Sequence, residues 1–575
     1  MDMRRIQLLL LLIIWVGSAM AQSTAKTGIL FSRVGYDLDG DKRVIIRSTA
    51  KEFEAGEQFK LLDDNKQLAY SGKLKFWGKK WNSYWWIADF SGITKSGNYF
   101  FQVKDKNDKL YESKTIKVAR NLLWNKSWET VAIEQLKQRV LFRKNNATKH
   151  GPEHAQGGGW QDCGGYLRET NSHATMIIGL FDLLEFSPER IDNVQNKELI
   201  EQLLIGLNYL AFCQDKAAEL GKGDGAIIHE WPKHRNVITG DVAKGAVCFA
   251  RASKLLANHD KNIAKEFASR ATRAFHFLEK NGPIHNCGGT DFHGTVQPDD
   301  GFEPKIHGVA KGFVRPKEWK TRDLVMMTWI AVELGDVDKA YEFAQRVMNR
   351  QIKKSNSEGG YFGHFKAYDS VDYTEKAWEH HHMGYDAGAT FPHYIIPLIQ
   401  LAEKFPNHAQ NAKLKKAIND FAYGYFLPAC TNNPFNLLPM GYYKNEGLLV
   451  FSGLWHGMNG AYGSAAALAL ELVDFTGDKQ FKKIATGNLQ WIAGLNSGIV
   501  SKKGFESKSM IYGIGDEFCG SWTKIPGTIC NGFESDRQFF VAQPQLKTDG
   551  PNVFTDEGWI THSGGWISAL SRLKE

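Results

Sequence analysis

The chain has 575 residues, a formal net charge of +8 and an aromatic content of 12%. That length is too great for one small core and predicts two domains. The positive excess is mild and spread along the chain, with no basic cluster interleaved with aromatics, which excludes a nucleic-acid-binding class. The opening residues MDMRRIQLLLLLIIWVGSAMAQ read as a signal peptide over 1–21: Arg4 and Arg5 form the positive region, Ile6 to Val16 the apolar core, and Ala19-Met20-Ala21 the cleavage site. The apolar run is too short to span a bilayer and no later run reaches that length, so a secreted or periplasmic protein without a membrane partner is expected. None of the seven cysteines forms a CxxC pair, so no zinc site is expected. Cys213 and Cys248 fall on helical patterns and read as buried, whereas Cys519 and Cys530 share a loop-rich stretch in which they could pair.

Residues 27–120 are strand-like. The runs ILFSRVGY, RVIIRS, EQFKLLD, SYWWIADF, GNYFFQV and KTIKVAR alternate apolar and polar residues between DLDGD, DDNK, KSGN and DKND turns. Trp77, Trp81, Trp85 and Trp86 lie here, either as a sugar platform or as a surface packed on the next domain. The segments Arg33-Val34-Gly35-Tyr36, Asp89-Phe90-Ser91 and Gly97-Asn98-Tyr99-Phe100 resemble the immunoglobulin-like domain ahead of the catalytic domain in many family 9 glycoside hydrolases.

From residue 121 to 575 the apolar period changes from two to about 3.6. Helices are predicted near 122–143, 172–186, 197–215, 241–257, 261–280, 321–335, 337–353, 385–404, 411–426, 458–475, 478–494 and 557–573. Twelve helices with long Gly- and aromatic-rich loops between alternate pairs fit an (α/α)6 barrel, and the lack of a fixed repeat counts against an α-solenoid. The expected architecture is an all-β immunoglobulin-like sandwich followed by an all-α (α/α)6 barrel.

The stretch Gly157–Glu169, GGGWQDCGGYLRE, stands ahead of the second helix. Its glycines permit close approach by a ligand, Trp160 offers a flat face for a sugar ring, and Asp162 places a carboxylate on a tight loop. A turn whose aspartate caps the helix is the alternative. Four further segments set an aromatic and a polar group just before a helix: His229-Glu230-Trp231-Pro232, Trp378-Glu379-His380-His381-His382, Trp455-His456-Gly457 and Asp556-Glu557-Gly558-Trp559. Adjacent histidines point in different directions and no HExxH spacing occurs, so sugar contact or packing is favoured over metal ligation. Trp160, Trp231, Trp378, His381, His382, Trp455, His456 and Trp559 are the candidate sugar-binding residues.

Together these segments resemble glycoside hydrolase family 9 over nearly the whole chain. Trp160 to Tyr166 matches the family's W-x-D-A-G-D-Y motif, Asp241-Val242-Ala243 loosely matches its D-V-A-G-E segment, and EGWITHSGGWISALS matches its final E-x-x-x-D-Y-N-A-x-F-x-G-A-L run in spacing. The resemblance implies a glycosidase whose general acid is Glu557 and in which Asp162 helps to hold the attacking water. Gly165 occupies the position of the family's base, the H-H-R sugar motif is not recognisable, and Thr561-His562-Ser563 replaces D-Y-N. An inverting glycosidase needs an acid and a base on opposite faces of the sugar. Asp162 is therefore the first candidate for a displaced base, ahead of Asp516 and Glu517, with His382 or Glu379 completing the site.

The expected partner is a β-linked carbohydrate. No cofactor, metal or calcium ligand set is predicted, and the sequence does not define an oligomeric state. A catalytically weak glycan-binding protein is the alternative, because loss of a base is what decay would produce. A polysaccharide lyase is a third reading, for which Arg168 and His173 are the nearby candidates.

Overall fold

The computed structural model describes residues 26–49, 55–163, 167–284, 318–357, 359–366, 369, 395–439, 441–443, 447–449, 457, 459–501, 503–515, 523–533 and 556–574. The signal segment, Gly165, Trp378, His381, His382, Trp455, His456, Asp516 and Cys519 lie outside these residues. No helix among the described residues is long and apolar enough to cross a membrane.

The N-terminal strands are β1 (Thr27–Leu30), β2 (Tyr36–Asp37), β3 (Arg43–Ser48), β4 (Ala55–Leu62), β5 (Leu68–Lys80), β6 (Ser83–Asp89), β7 (Gly97–Asp105), β8 (Leu110–Glu112) and β9 (Ile116–Ala119). Hydrogen bonding orders them β1-β3-β6-β5-β4-β7-β9-β2, with β8 on β7. Strand β5 is absent from the sequence-based reading. Its lysine-rich sequence LAYSGKLKFWGKK exposes Leu68 and Phe76 and so lacks the usual alternation. It nonetheless joins the two halves of the sandwich: Leu68–Lys73 pair with β4, and Leu74–Lys80 pair with β6 across an irregularity at Phe76 and Gly78. Val44, Ile46, Phe59, Phe101 and Val118 fill the sandwich core.

The sandwich docks on the helical domain through its tryptophans. Trp85 is fully buried, meets Phe435 edge-on at 5.3 Å and donates through Nε1 to the Lys80 carbonyl, and Trp81 stacks on Phe435 at 6.3 Å. Arg47 lies over the Phe505 ring and donates to the Ser497 carbonyl at 2.8 Å. Of the two readings of this tryptophan cluster, the structure supports packing for Trp81 and Trp85.

The helical domain contains α1 (122–150, with a π-helical turn at Thr130–Glu134), α2 (Thr170–Phe186), α3 (Asn193–Glu219), α4 (Thr239–Leu255), α5 (Lys261–Asn281) and α6 (Thr321–Leu334). It continues with α7 (Val337–Asn349), α8 (Ile396–Lys404), α9 (411–430), α10 (Asn459–Thr476), α11 (Gln480–Ala493) and α12 (Ile560–Arg572). The even-numbered helices form a closed inner ring in which each packs on the next and α12 returns to α2. The odd-numbered helices lie outside, giving the expected (α/α)6 barrel.

Sequence explains the two layers. Inner helix α2, TNSHATMIIGLFDLLEF, is buried on all sides along most of its length, whereas outer helix α7 buries only Ala340, Tyr341, Phe343, Ala344, Val347 and Met348 along one stripe. Inner-to-outer turns are short, and three end in an aspartate whose carboxylate accepts a backbone N–H of the next helix: Asp192, Asp260 and Asp336. Outer-to-inner connections are long, and their described ends lead into the N-termini of the inner helices at the opposite end of the barrel.

The short-turn end is closed by a buried ion network. Asp182 of α2 receives Arg572 of α12 at 2.6 Å and Arg251 of α4 at 2.9 Å, and Arg572 also holds Glu471 of α10 at 2.6 Å. Burial raises the pKa of Asp182, but Arg572 and Arg251 outweigh it and hold the carboxyl below its usual range. A carboxyl depressed on folding stabilises the protein above its unfolded pKa and loses that contribution as pH falls through the folded value. Asp182→Asn removes the buried carboxylate that Arg572 and Arg251 share and is expected to cost about 3–5 kcal/mol. Calorimetry should show a lower Tm at neutral pH and a weaker dependence on acidification below about pH 4.

Candidate active site

The loop before α2 enters the barrel through three consecutive glycines, 157 to 159, all with positive φ. A Cβ on Gly159 would lie 2.8 Å from both His173 Nε2 and Tyr209 Cγ, so the chain can pass only without a side chain. Trp160 follows, and its indole is fully buried. It stacks on His173 at 5.2 Å, donates through Nε1 to Gln202 at 3.1 Å and packs over Gly206. The structure thus corrects the reading of Trp160 as a sugar platform, because its ring has no open face.

His173 locks this loop to α2. Its Nε2 accepts the Trp160 N–H at 3.0 Å and its Nδ1 faces the Glu169 carbonyl at 2.9 Å, a pattern that assigns the neutral Nδ1–H tautomer. Burial pushes its pKa down to about 3. Arg168 is equally sealed: its guanidinium donates to the carbonyls of Gln156, Gly158 and Trp231. Neither residue is available as a lyase base or a uronate ligand.

Asp162 sits at the turn of the loop and is 1% exposed. Its Oδ2 accepts the Glu169 N–H at 2.8 Å, while Oδ1 has no hydrogen-bond partner among the described residues. Burial first, and the charge of Glu169 second, push its carboxyl up to about 7. The neighbouring Cys163 is also buried, and the charges of Asp162, Glu557 and Glu169 add to that burial in holding its thiol well above the usual value. The three carboxylates therefore converge on one place, although Asp162 and Glu557 are almost four hundred residues apart.

Arg139 of α1 brings the two segments together. Its Nη1 donates to the carbonyls of Gln161 at 3.0 Å and Asp162 at 3.1 Å, its Nη2 to that of Gly558 at 2.8 Å, and its Nε to Gln135 at 2.8 Å. The first amide of α12, Ile560 N–H, donates to the Asp162 carbonyl at 2.9 Å. Glu557, 6% exposed, is thus anchored through its own neighbours to the Asp162 loop. Trp559 is also buried, its ring parallel to that of His562 at 5.9 Å. His562 is held between Gly460 N–H at 2.9 Å and Asn531 Oδ1 at 2.7 Å.

The segment before α4 supplies the opposite side. His229 Nδ1 lies 2.7 Å from Asp241 Oδ2, and its Nε2 faces Glu169 Oε1 at 3.6 Å. Burial alone would lower the pKa of His229, but Asp241 and Glu169 raise it well above the usual value, so the ring is an imidazolium at neutral pH. Trp231 is half-buried, with Arg235 at 4.7 Å and Lys216 at 5.1 Å from its ring centre. Inner helices α2, α4, α6 and α12 all begin without a side-chain cap, so their partly positive N-termini add to the potential around these carboxylates.

Sequence reasoning placed Asp162 and Glu557 in the site and set apart the segments that contain Glu169 and His229, but gave no role to either of these or to Arg139. Glu169 looks like an ordinary acidic residue at a helix start, and Arg139 like an outer-helix cation. The usable signal was a charged residue at an otherwise apolar position of α1. Arg139→Met should remove the donor to the Gln161 and Gly558 carbonyls, and one of the two donors to the Asp162 carbonyl, at a cost of about 3 kcal/mol or more. Faster hydrogen exchange at the Ile560 amide is the expected signature, and unchanged protection would show that the clamp is dispensable.

Residues 131–518, more than half of the chain, match the Glycosyl hydrolase family 9 model, and residues 24–108 match the Cellulase N-terminal ig-like domain. No curated protein matches the chain. Among solved structures, a metagenome-derived glycoside hydrolase family 9 endoglucanase aligns with a TM-score of 0.65 at 17% identity, covering 95% of this chain and 98% of its own. A Bacteroides ovatus GH9 protein aligns with a TM-score of 0.59 at 15% identity, covering 95% and 98%. AaCel9A in complex with cellobiose-like isofagomine aligns with a TM-score of 0.60 at 15% identity, covering 95% and 99%. At such identities these structures establish the fold, whereas the match of the family model establishes the lineage. The chain belongs to glycosyl hydrolase family 9 and is a glycosidase acting on O-glycosyl compounds, with an immunoglobulin-like domain ahead of its barrel.

Proposed function

We propose that this glycosidase is exported and hydrolyses a β-linked glucan by inversion, with Glu557 as general acid and Asp162 as the base that activates water. The observation that carries this reading is the Arg139 clamp, which fixes the Asp162 turn and the Glu557 segment to one guanidinium. The endoglucanase activity of the structural relatives and the signal-like residues 1–21 support substrate class and export. In the reaction the water oxygen bonds to the anomeric carbon as the glycosidic C–O bond breaks. Asp162 takes the water proton, and Glu557 gives its own to the leaving oxygen. A carboxyl near 7 is a stronger base than an ordinary aspartate, provided it is ionised.

Anomeric NMR of cellotetraose hydrolysis is the direct test. The first product should carry the inverted configuration, and Glu557→Gln should lower kcat about 100-fold or more. Retained configuration, or full turnover in that variant, would sink the assignment. Asp162→Asn should lose turnover by a similar factor while still binding the oligosaccharide. Because the base must be ionised, the ascending limb of kcat/KM against pH should have its midpoint near 7.

A further inference from the structure

We propose that Glu169 is the second carboxylate of the water site, sharing the attacking water with Asp162, and that His229 and Asp241 position it. This rests on the inverting hydrolase reading and adds a group that the motif resemblance does not supply.

Three observations carry it. The first is a pair of buried acceptors with capacity to spare. Asp162 Oδ1 has no hydrogen-bond partner among the described residues, and Glu169 Oε1 meets His229 Nε2 only at an ion-pair distance of 3.6 Å. They belong to carboxylates joined through the Glu169 N–H and coupled by charge. A water molecule has two O–H groups and can donate one to each carboxylate, which leaves a lone pair free for the anomeric carbon.

The second observation is how firmly Glu169 is held. Its N–H is fixed by Asp162, its carbonyl receives the His173 ring, and its side chain faces the His229 imidazolium, which Asp241 orients from the other side. The His229 imidazolium faces the Glu169 side chain, whereas Asp162 is buried beside the negative charge of Glu169 and accepts the Glu169 N–H. Two neighbouring carboxylates with environments pushed apart in this way can divide the work. Glu169 accepts a hydrogen bond from the water. Asp162, made more basic by that charge, takes the proton.

The third observation separates this role from helix capping. Glu169 occupies the N-cap position of α2, yet its side chain caps nothing and is 7% exposed. An acidic residue serving only the helix dipole would be satisfied by water at the surface.

In the step itself, the water O–H bond to Asp162 breaks and its proton transfers there. The oxygen bonds to the anomeric carbon, and the leaving oxygen takes the Glu557 proton. Glu169 is unchanged at the end.

The test is steady-state hydrolysis of cellotetraose by the full chain across pH, comparing the native protein with Glu169→Gln and Glu169→Asp. The groups that act on Asp162 are Glu169 and Cys163 beside it, Glu230 from the segment before α4 and Arg139 on its carbonyl, while Glu557 acts on the adjacent Cys163. Glu169→Gln removes one negative charge from this set. It should lower kcat about 100-fold with KM within about 3-fold, and move the ascending limb of kcat/KM to lower pH by about one unit. Glu169→Asp keeps the charge but withdraws the carboxylate, so kcat should fall about 10-fold with the limb in place. This second variant carries the test if Glu169→Gln fails to fold. Native-like kcat in either folded variant, or a fall in kcat for Glu169→Gln with the limb unmoved, would overturn the inference while leaving the hydrolase reading intact. Absence of turnover in the native chain would overturn both.

Discussion

The barrel closes along one seam, and the site depends on it. Helix α12 lies between α2 and α10 at distances that only glycine permits. A Cβ on Gly564 would stand 2.6 Å from the Thr175 carbonyl, and one on Gly565 would stand 2.5 Å from the Gly460 carbonyl. Gly179 and Gly463 make the reciprocal approaches from the neighbouring helices. Close helix contact of this kind leaves α12 little room to slide, because backbone meets backbone without a deformable side chain between. The residues just before α12, Glu557 among them, are therefore placed by the ring rather than by their own loop.

The two ends of the barrel treat charge in opposite ways. At the short-turn end, Asp182, Arg572, Arg251, Glu471 and Glu185 neutralise one another at hydrogen-bonding distances, and the network ties four inner helices together. At the long-loop end, carboxylates of Asp162, Glu169 and Glu557 come together, and Asp162 Oδ1 has no hydrogen-bond partner among the described residues. Arg139, the His229 imidazolium and uncapped helix N-termini make that concentration of negative charge tolerable. Unsatisfied buried carboxylate oxygens carry an energetic cost, which the rigid, neutralised end of the barrel helps to offset.

The immunoglobulin-like domain contributes through contact. Trp81 and Trp85 pack on Phe435, which itself meets Trp491 of α11, and Arg47 covers Phe505, so strands β3 and β6 and the turn before β6 seat the sandwich on the connections that follow α9 and α11. This surface is remote in sequence from the catalytic loops but continuous with the barrel core through Trp491.

The sequence by itself determined the order of elements, because periodicity is a local property: period two gives way to period 3.6 at residue 121, and the helix positions follow from it. Motif spacing also brought Asp162 and Glu557 forward, since each lies on a short segment that can be compared with a family pattern. Strand β5 escaped because both its faces are largely exposed and its pairing is decided by β4 and β6. Trp160 was misread because a tryptophan beside glycines looks the same in sequence whether its ring faces a cleft or, as here, His173 and Gly206. Glu169, His229, Asp241 and Arg139 were not legible as a group, for they sit on three separate loops or helices and acquire a common environment only when the ring closes. Local sequence decides which residues become helix, while the convergence of charge, and the pKa values that follow from it, are decided by packing across the chain.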